Sequence, residues 1–350
     1  MLDVVTAVLL TAHLILIDVA MIGPLASAWF DWRGTRRSQP ELVELGRRLA
    51  AWSLGSLVVG GVLGGALLAL RFLDDERYFR ALGAIPSDRL WFAGAEFVFS
   101  LLTLGLYVGL WRRWRKGRLG HRLLAVAASS NLMMHFPALF AVISIVSTRA
   151  AWAGRTIDRA EFRKLLIDGE VLSRVVHVWL AAVAVTGVAV VWLALRTERG
   201  QEDRRELFVR TGARLALAGI MLQFPAGLWV TLAMPESARA PLLGGDAGAT
   251  LFFLASVMLA MVLMHLLSAL ALSEPIARQA WRASVVLIAL ILLMVGMRVR
   301  LDRNLLTPRP APAAGEQTPA RQPLALASPE SSDSIRELFP ALFPAARFLR

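Results

Sequence analysis

The sequence predicts an all-α membrane protein, a bundle of about eight transmembrane helices. Three observations predict it. Of the 350 residues, 57% are apolar and only 18% charged, where a soluble chain holds roughly 45–50% and about 25%. The mean hydropathy is +0.58. The apolar residues also collect in blocks, and about 20 in a row are what a helix needs to cross the hydrocarbon.

The blocks fall at roughly 4–29, 50–70, 91–111, 122–147, 171–195, 211–233, 250–272 and 281–298. Backbone groups in lipid must bond internally, so each block is expected to be a helix. The first begins MLDVVTAVLL, without a basic leader or a small-residue cleavage site, and reads as a retained span. The second carries VVGGVLGG, which sets Gly60/Gly64 and Gly61/Gly65 at the spacing that lets helix backbones approach; packing within the bundle is the expected use. The third holds Glu96, the fourth His135 and the fifth His177. In the sixth, Gln223 stands beside Pro225, a predicted kink. The seventh has Met258 and His265. Trp29, Trp32, Trp52, Trp91 and Trp111 sit near span ends and read as an interfacial belt.

The bundle is expected over 1–303. A Pro/Ala-rich linker is expected over 304–333, and a short amphipathic segment on the membrane surface over 334–350.

The net charge of +12 resembles a nucleic-acid signal, but Lys and Arg lie in loops, at span ends and in the tail. That distribution sets membrane orientation, and no nucleic-acid motif accompanies it. Loops 31–49, 112–121, 196–210 and 273–280 are the more basic set, which places them in the cytoplasm and the N-terminus outside. The expected location is the bacterial inner (plasma) membrane. Absence of cysteine excludes disulfides, thiolate metal sites and covalent Cys-x-x-Cys-His haem attachment.

Ionisable residues inside a membrane are functional candidates by default. Away from span ends these are Asp18, Glu96, His13, His135, His177 and His265. His13, Glu96, His177 and Met258 fall at similar depth in the outer half. Those are haem axial-ligand types, and a bundle core is where a haem fits.

These residues give the chain a resemblance, over roughly residues 5–270, to subunit I of the cytochrome bd quinol oxidases. It rests on His13 in LLTAHLILIDVAMIG and on RLWFAGAEFVFSLLTLGLYVGLWRRW in the third span. The Ser130-Asn131-Leu132 triplet, His177 in SRVVHVWLAAVAVTG and Met258 in FFLASVMLAMV complete it. The resemblance implies a haem b electron-transfer protein, an oxidoreductase component of a respiratory chain with one or two haems. His177 and Met258 would be axial ligands of the first haem and His13 of a second. Asn131, His135 and His265 would stand among the cofactor-binding residues, and Glu96 and Asp18 would carry protons. Expected partners are the lipid bilayer, a second membrane subunit or redox partner, and a quinol. The chain departs from the family too: 234–249 is too short for the quinol-binding loop, Ser256 replaces an arginine, and the terminal helix is missing. Two rival readings are a haem-free scaffold or assembly subunit of a respiratory complex, and a proton-coupled transporter.

Overall fold

The computed structural model describes residues 2–113, 118–152, 154–197, 202–272 and 277–306. The expected linker and surface segment therefore lie, from residue 307 on, outside the described residues. The helices are α1 (Leu2–Arg36), α2 (Pro40–Asp74), α3 (Glu76–Ala84), α4 (Ser87–Gly109), α5 (Arg118–Thr148), α6 (Arg159–Leu166), α7 (Gly169–Thr197), α8 (Glu202–Ala233), α9 (Glu236–Arg239), α10 (Ala247–Leu272) and α11 (Ala277–Leu306). Eight of them are long and apolar enough to cross a membrane: α1, α2, α4, α5, α7, α8, α10 and α11. The chain is a multi-pass membrane protein.

The spans are longer than the apolar blocks, because helices run on past the hydrocarbon into their polar ends. α1 continues to Arg36 and α7 begins at Gly169. Lipid gives no hydrophobic drive for helix association, so close packing falls to small residues. Two antiparallel pairs show it. In α1/α2, a Cβ on Gly46 would lie 2.8 Å from the Ser27 carbonyl oxygen, and one on Gly60 would lie 2.9 Å from Ile17 Cδ1. In α7/α8, a Cβ on Gly187 would lie 2.4 Å from the Ala216 nitrogen, and one on Gly219 would lie 2.7 Å from the Ala184 nitrogen. The Gly60/Gly64 motif is thus used inside the chain, as its sequence suggested.

α7 is the central helix and packs against α1, α5, α8 and α11. Ala184, Val185, Val190 and Leu193 of α7 join Ala213 and Ala216 of α8 and Leu263 and Leu267 of α10 in the largest apolar cluster. Trp192 ties α7 to α11 by donating to Ser284 Oγ at 2.6 Å.

The short helices α3 and α6 lie together at one end, where the Ile157 N–H donates to the Ala84 carbonyl at 2.8 Å. Each is capped by an aspartate: Asp75 accepts from the Tyr78 N–H, and Asp158 with Glu161 forms a capping box. Fractional exposure is low for Ala81 and Phe162, while their neighbours Arg80 and Arg163 are exposed, as on helices lying in an interface plane. At the other end, Asp31 of α1 pairs with Arg122 of α5.

Candidate functional site

Counted from the helix starts, His13, Glu96, His177 and Met258 lie eight to eleven residues into α1, α4, α7 and α10. At 1.5 Å per residue that is on the order of 12–17 Å along each axis.

His13 projects from α1 into the groove beside α2. Its Nδ1 lies 2.8 Å from the Gly60 carbonyl oxygen. A carbonyl only accepts, so Nδ1 carries the proton and Nε2 keeps its lone pair. Gly64 makes room for the ring: a Cβ there would lie 2.9 Å from His13 Cε1. An imidazole whose second nitrogen donates to a backbone carbonyl is oriented as metal-ligating histidines are.

His177 of α7 faces α8. Among the described residues its Nδ1 is buried without a hydrogen-bond partner, and so is Oε1 of Gln223 on α8. Gln223 Nε2 donates to the His177 carbonyl at 2.8 Å. Gly227 lies one turn further along α8, where a Cβ would make an ordinary van der Waals contact at 3.9 Å from His177 Cε1. Buried polar atoms are almost always satisfied, so these two orphaned atoms make the groove a candidate site for a polar or metal group.

α4 and α5 build a third cluster. Glu96 and Ser100, and Asn131 and His135, are four apart and so lie one turn apart on facing helices. Asn131 Nδ2 donates to the Glu96 carbonyl and to Ser100 Oγ, both at 2.8 Å. Asn131 Oδ1 lies 3.1 Å from His135 Nδ1, and Glu96 Oε2 lies 3.4 Å from the same nitrogen. All of its neighbours accept, so His135 Nδ1 holds the proton. The Phe92 ring stands edge-on at 5.6 Å. The His135 side chain is 43% exposed, so the cluster opens onto the outside of the bundle. Pro137, one turn on, frees the Met133 carbonyl, which accepts from Trp179 Nε1 at 2.9 Å and locks α5 to α7.

The remaining candidates stand apart. Asp18 is buried, and its carboxylate makes no hydrogen bond or ion pair to any described residue; only its backbone carbonyl is used, by Thr186 Oγ1 at 3.3 Å. Met258 is 60% exposed and shares an outward stripe of α10 with Met261, Val262 and His265. α10 packs on α8 and α11. Among the described residues, no three His, Asp or Glu side chains form a metal cage.

Sequence reasoning missed two buried polar groups. In the first, Arg122 Nε donates to Asp31 Oδ2 at 2.6 Å. Nearby, Tyr107 Oη lies 2.9 Å from Ser27 Oγ, and the Tyr107 ring packs against His121 and Trp111. Trp111 packs on Tyr107 and His121 at the span end, and His121 is buried in the first turn of α5. In the second, Glu170 is held by Arg149 and by Arg174 at 2.5 Å. Asp31 and Glu170 sit just beyond the apolar blocks, and helices that overrun those blocks were the signal to find them.

No protein-family model matches the chain, and no curated protein matches it. Its structure is similar to a solved one described as the structure of bd oxidase from Geobacillus thermodenitrificans, with a TM-score of 0.67 and 15% identity. The match covers 86% of this chain and 86% of that one. The chain thus has a bd-oxidase-like fold over most of its length.

Proposed function

We propose that the chain is a haem b-binding membrane electron-transfer protein, working in a respiratory complex beside a second membrane subunit. The observation that carries this reading is the pair of imidazoles on one bd-oxidase-like fold, His13 and His177, each with a ring nitrogen that no described residue claims. In the His177 groove, the buried Nδ1 of His177 and Oε1 of Gln223, without hydrogen-bond partners among the described residues, are the polar atoms such a group would satisfy.

His177 would hold a first haem. Met258 stands on the outward stripe of α10, and the structure does not bring it to His177. His13 would ligate a second haem through Nε2, with Gly60 fixing the ring. When bound, haem b supplies one-electron transfer at a potential set by its axial ligands and its low-dielectric surroundings. The chain's own residues orient it and handle protons. Glu96 and His135 hold a proton between two helices, with Asn131 fixing the imidazole edge toward the carboxylate. Asp18, buried on α1, is the proposed further proton carrier. We propose a membrane quinol as electron donor. Its site would lie elsewhere than 234–249, which is folded into α9 and a 3-10 turn pinned by Arg300 Nε to Asp246 Oδ1 at 2.7 Å.

The exposure of Met258 favours a second reading, a haem-free scaffold subunit. Reduced-minus-oxidised spectra of the protein and of His177→Ala and His13→Ala separate the two. The redox reading expects an α-band of haem b that loses intensity in each variant, with folding intact by size-exclusion chromatography. Spectra without a haem band in protein made with ample haem would support the scaffold.

A further inference from the structure

At the α2-facing end of α1, the structure places three guanidiniums around one cleft. It has a volume of about 370 Å³ and is lined by Trp32, Arg33, Arg36 and Arg37. In the sequence these arginines belong to the basic loop 31–49 that orients the span.

Their acids are already taken. Asp31 receives Arg122 from α5, Glu41 receives Arg204, and Glu44 receives both Arg47 and Arg48. Arg33, Arg36 and Arg37 have no carboxylate partner among the described residues. Arg33 Cζ instead lies 5.1 Å from the centre of the Trp29 ring, and Arg36 Cζ lies 5.6 Å from that of Trp32. Both contacts are within cation–π range, which orders the guanidinium planes without neutralising them.

The backbone beneath is preorganised. The Gln39 N–H donates to the Gly34 carbonyl at 2.8 Å, and Arg37 N–H to the Arg33 carbonyl at 3.0 Å. Ser38 takes a left-handed φ of 54° to close the turn. A Cβ at Gly34 would lie 2.8 Å from the Gln39 carbonyl oxygen, so only glycine allows this tight a return into α2.

We propose that this cleft binds the phosphodiester headgroup of an anionic membrane lipid. Guanidinium forks match phosphate oxygens in bidentate fashion, which a lone ammonium does not. Trp29 and Trp32, exposed by 40% and 44% at the end of a membrane span, put the cleft at headgroup level. A lipid there satisfies the three charges in place of the missing carboxylates, and its acyl chains lie along the apolar flank of α1. Basic pockets at span ends take such headgroups.

The test uses the full chain in nanodiscs of phosphatidylcholine with a minor fraction of phosphatidylglycerol. Native mass spectrometry then counts the lipids retained. Wild type is expected to retain phosphatidylglycerol selectively. The triple variant Arg33→Gln/Arg36→Gln/Arg37→Gln is expected to lose at least about tenfold of that retention. A control that removes equal charge at the other end, Arg155→Gln/Arg159→Gln/Arg163→Gln, is expected to leave it unchanged. The lysine triple at 33, 36 and 37 keeps the charge that orients the span. It is expected to insert normally and to retain several-fold less lipid, because the forks are gone. Equal retention in that folded lysine variant, equal loss in the control, or release of the lipid by excess inorganic phosphate would each overturn the proposal, the last by marking a soluble-anion site. None of these outcomes depends on haem.

Discussion

The α1/α2 and α7/α8 grooves are built alike and finished differently. Both are antiparallel helix pairs closed by glycine, and both present one histidine. In the first, the Gly60 carbonyl has already fixed the imidazole of His13. In the second, His177 Nδ1 has no partner among the described residues, and Gln223 donates its amide nitrogen to the His177 backbone while its own oxygen has no partner there either. Backbone glycine thus serves two purposes: it brings helices together, and by lacking a side chain it leaves space for a ring. The α1/α2 groove orients its imidazole from within the chain, whereas the α7/α8 groove leaves its imidazole without a partner among the described residues.

The largest break in this comparison comes from Gly187→Leu. Its side chain would meet the α8 backbone at Gly212 and Ala216, at a cost of about 3 kcal/mol. Thermal unfolding in detergent should show a marked loss, and the His177 haem signal should disappear while the His13 signal survives in the remaining folded protein. Arg122→Ala attacks the other pair, since it takes the Arg122 guanidinium away from the buried Asp31 at the end of α1. Removing one partner of a buried ion pair costs of order 3 kcal/mol. Asp31→Leu/Arg122→Leu is expected to recover most of that loss in the same unfolding assay.

Gly64→Ala sharpens the comparison more finely. The new methyl meets only the His13 ring, which can turn aside, so stability should change by no more than about 1 kcal/mol. The spectrum of the His13 site should shift nonetheless, and that of the His177 site should not. The smallest effect lies at the α3/α6 end. Asp158 accepts backbone hydrogen bonds from Glu161 and Ala160, which hold its carboxyl below the usual aspartate range. Its stabilisation of α6 is therefore fully present above the ordinary aspartate pKa and is lost as the pH falls through the lowered one. Hydrogen exchange in α6 should rise in that acid window, and Asp158→Ala should show the faster exchange at neutral pH.

The eight spans were legible because a membrane demands long apolar helices, and apolar blocks are visible in one sequence. The packing role of Gly60/Gly64 was legible for a related reason, as small residues at fixed spacing have few other uses in lipid. Helix ends were less so. Asp31 and Glu170 look like loop residues by hydropathy, yet α1 and α7 overrun the apolar blocks and bury them. The short helices α3, α6 and α9 carry little apolar length and gave no span-like signal. Partnerships such as Asn131 with Ser100, Trp179 with Met133 or Gln223 with His177 join residues far apart in the chain, and only the packed bundle reveals them. The depth match of His13, Glu96, His177 and Met258 could be read from the sequence. That Met258 faces outward on α10 could not, because α10 is apolar all round and shows no preferred face.

The proposal rests on ring nitrogens of His13 and His177 that no described residue uses and that would hold haem. The most direct test is a pyridine haemochrome assay on the purified, full-length protein expressed with ample haem. The account predicts b-type haem at one to two equivalents per chain, reduced by about one equivalent in a folded His177→Ala variant. A folded protein with no stoichiometric haem, or one whose haem content is indifferent to both His13→Ala and His177→Ala, would contradict it.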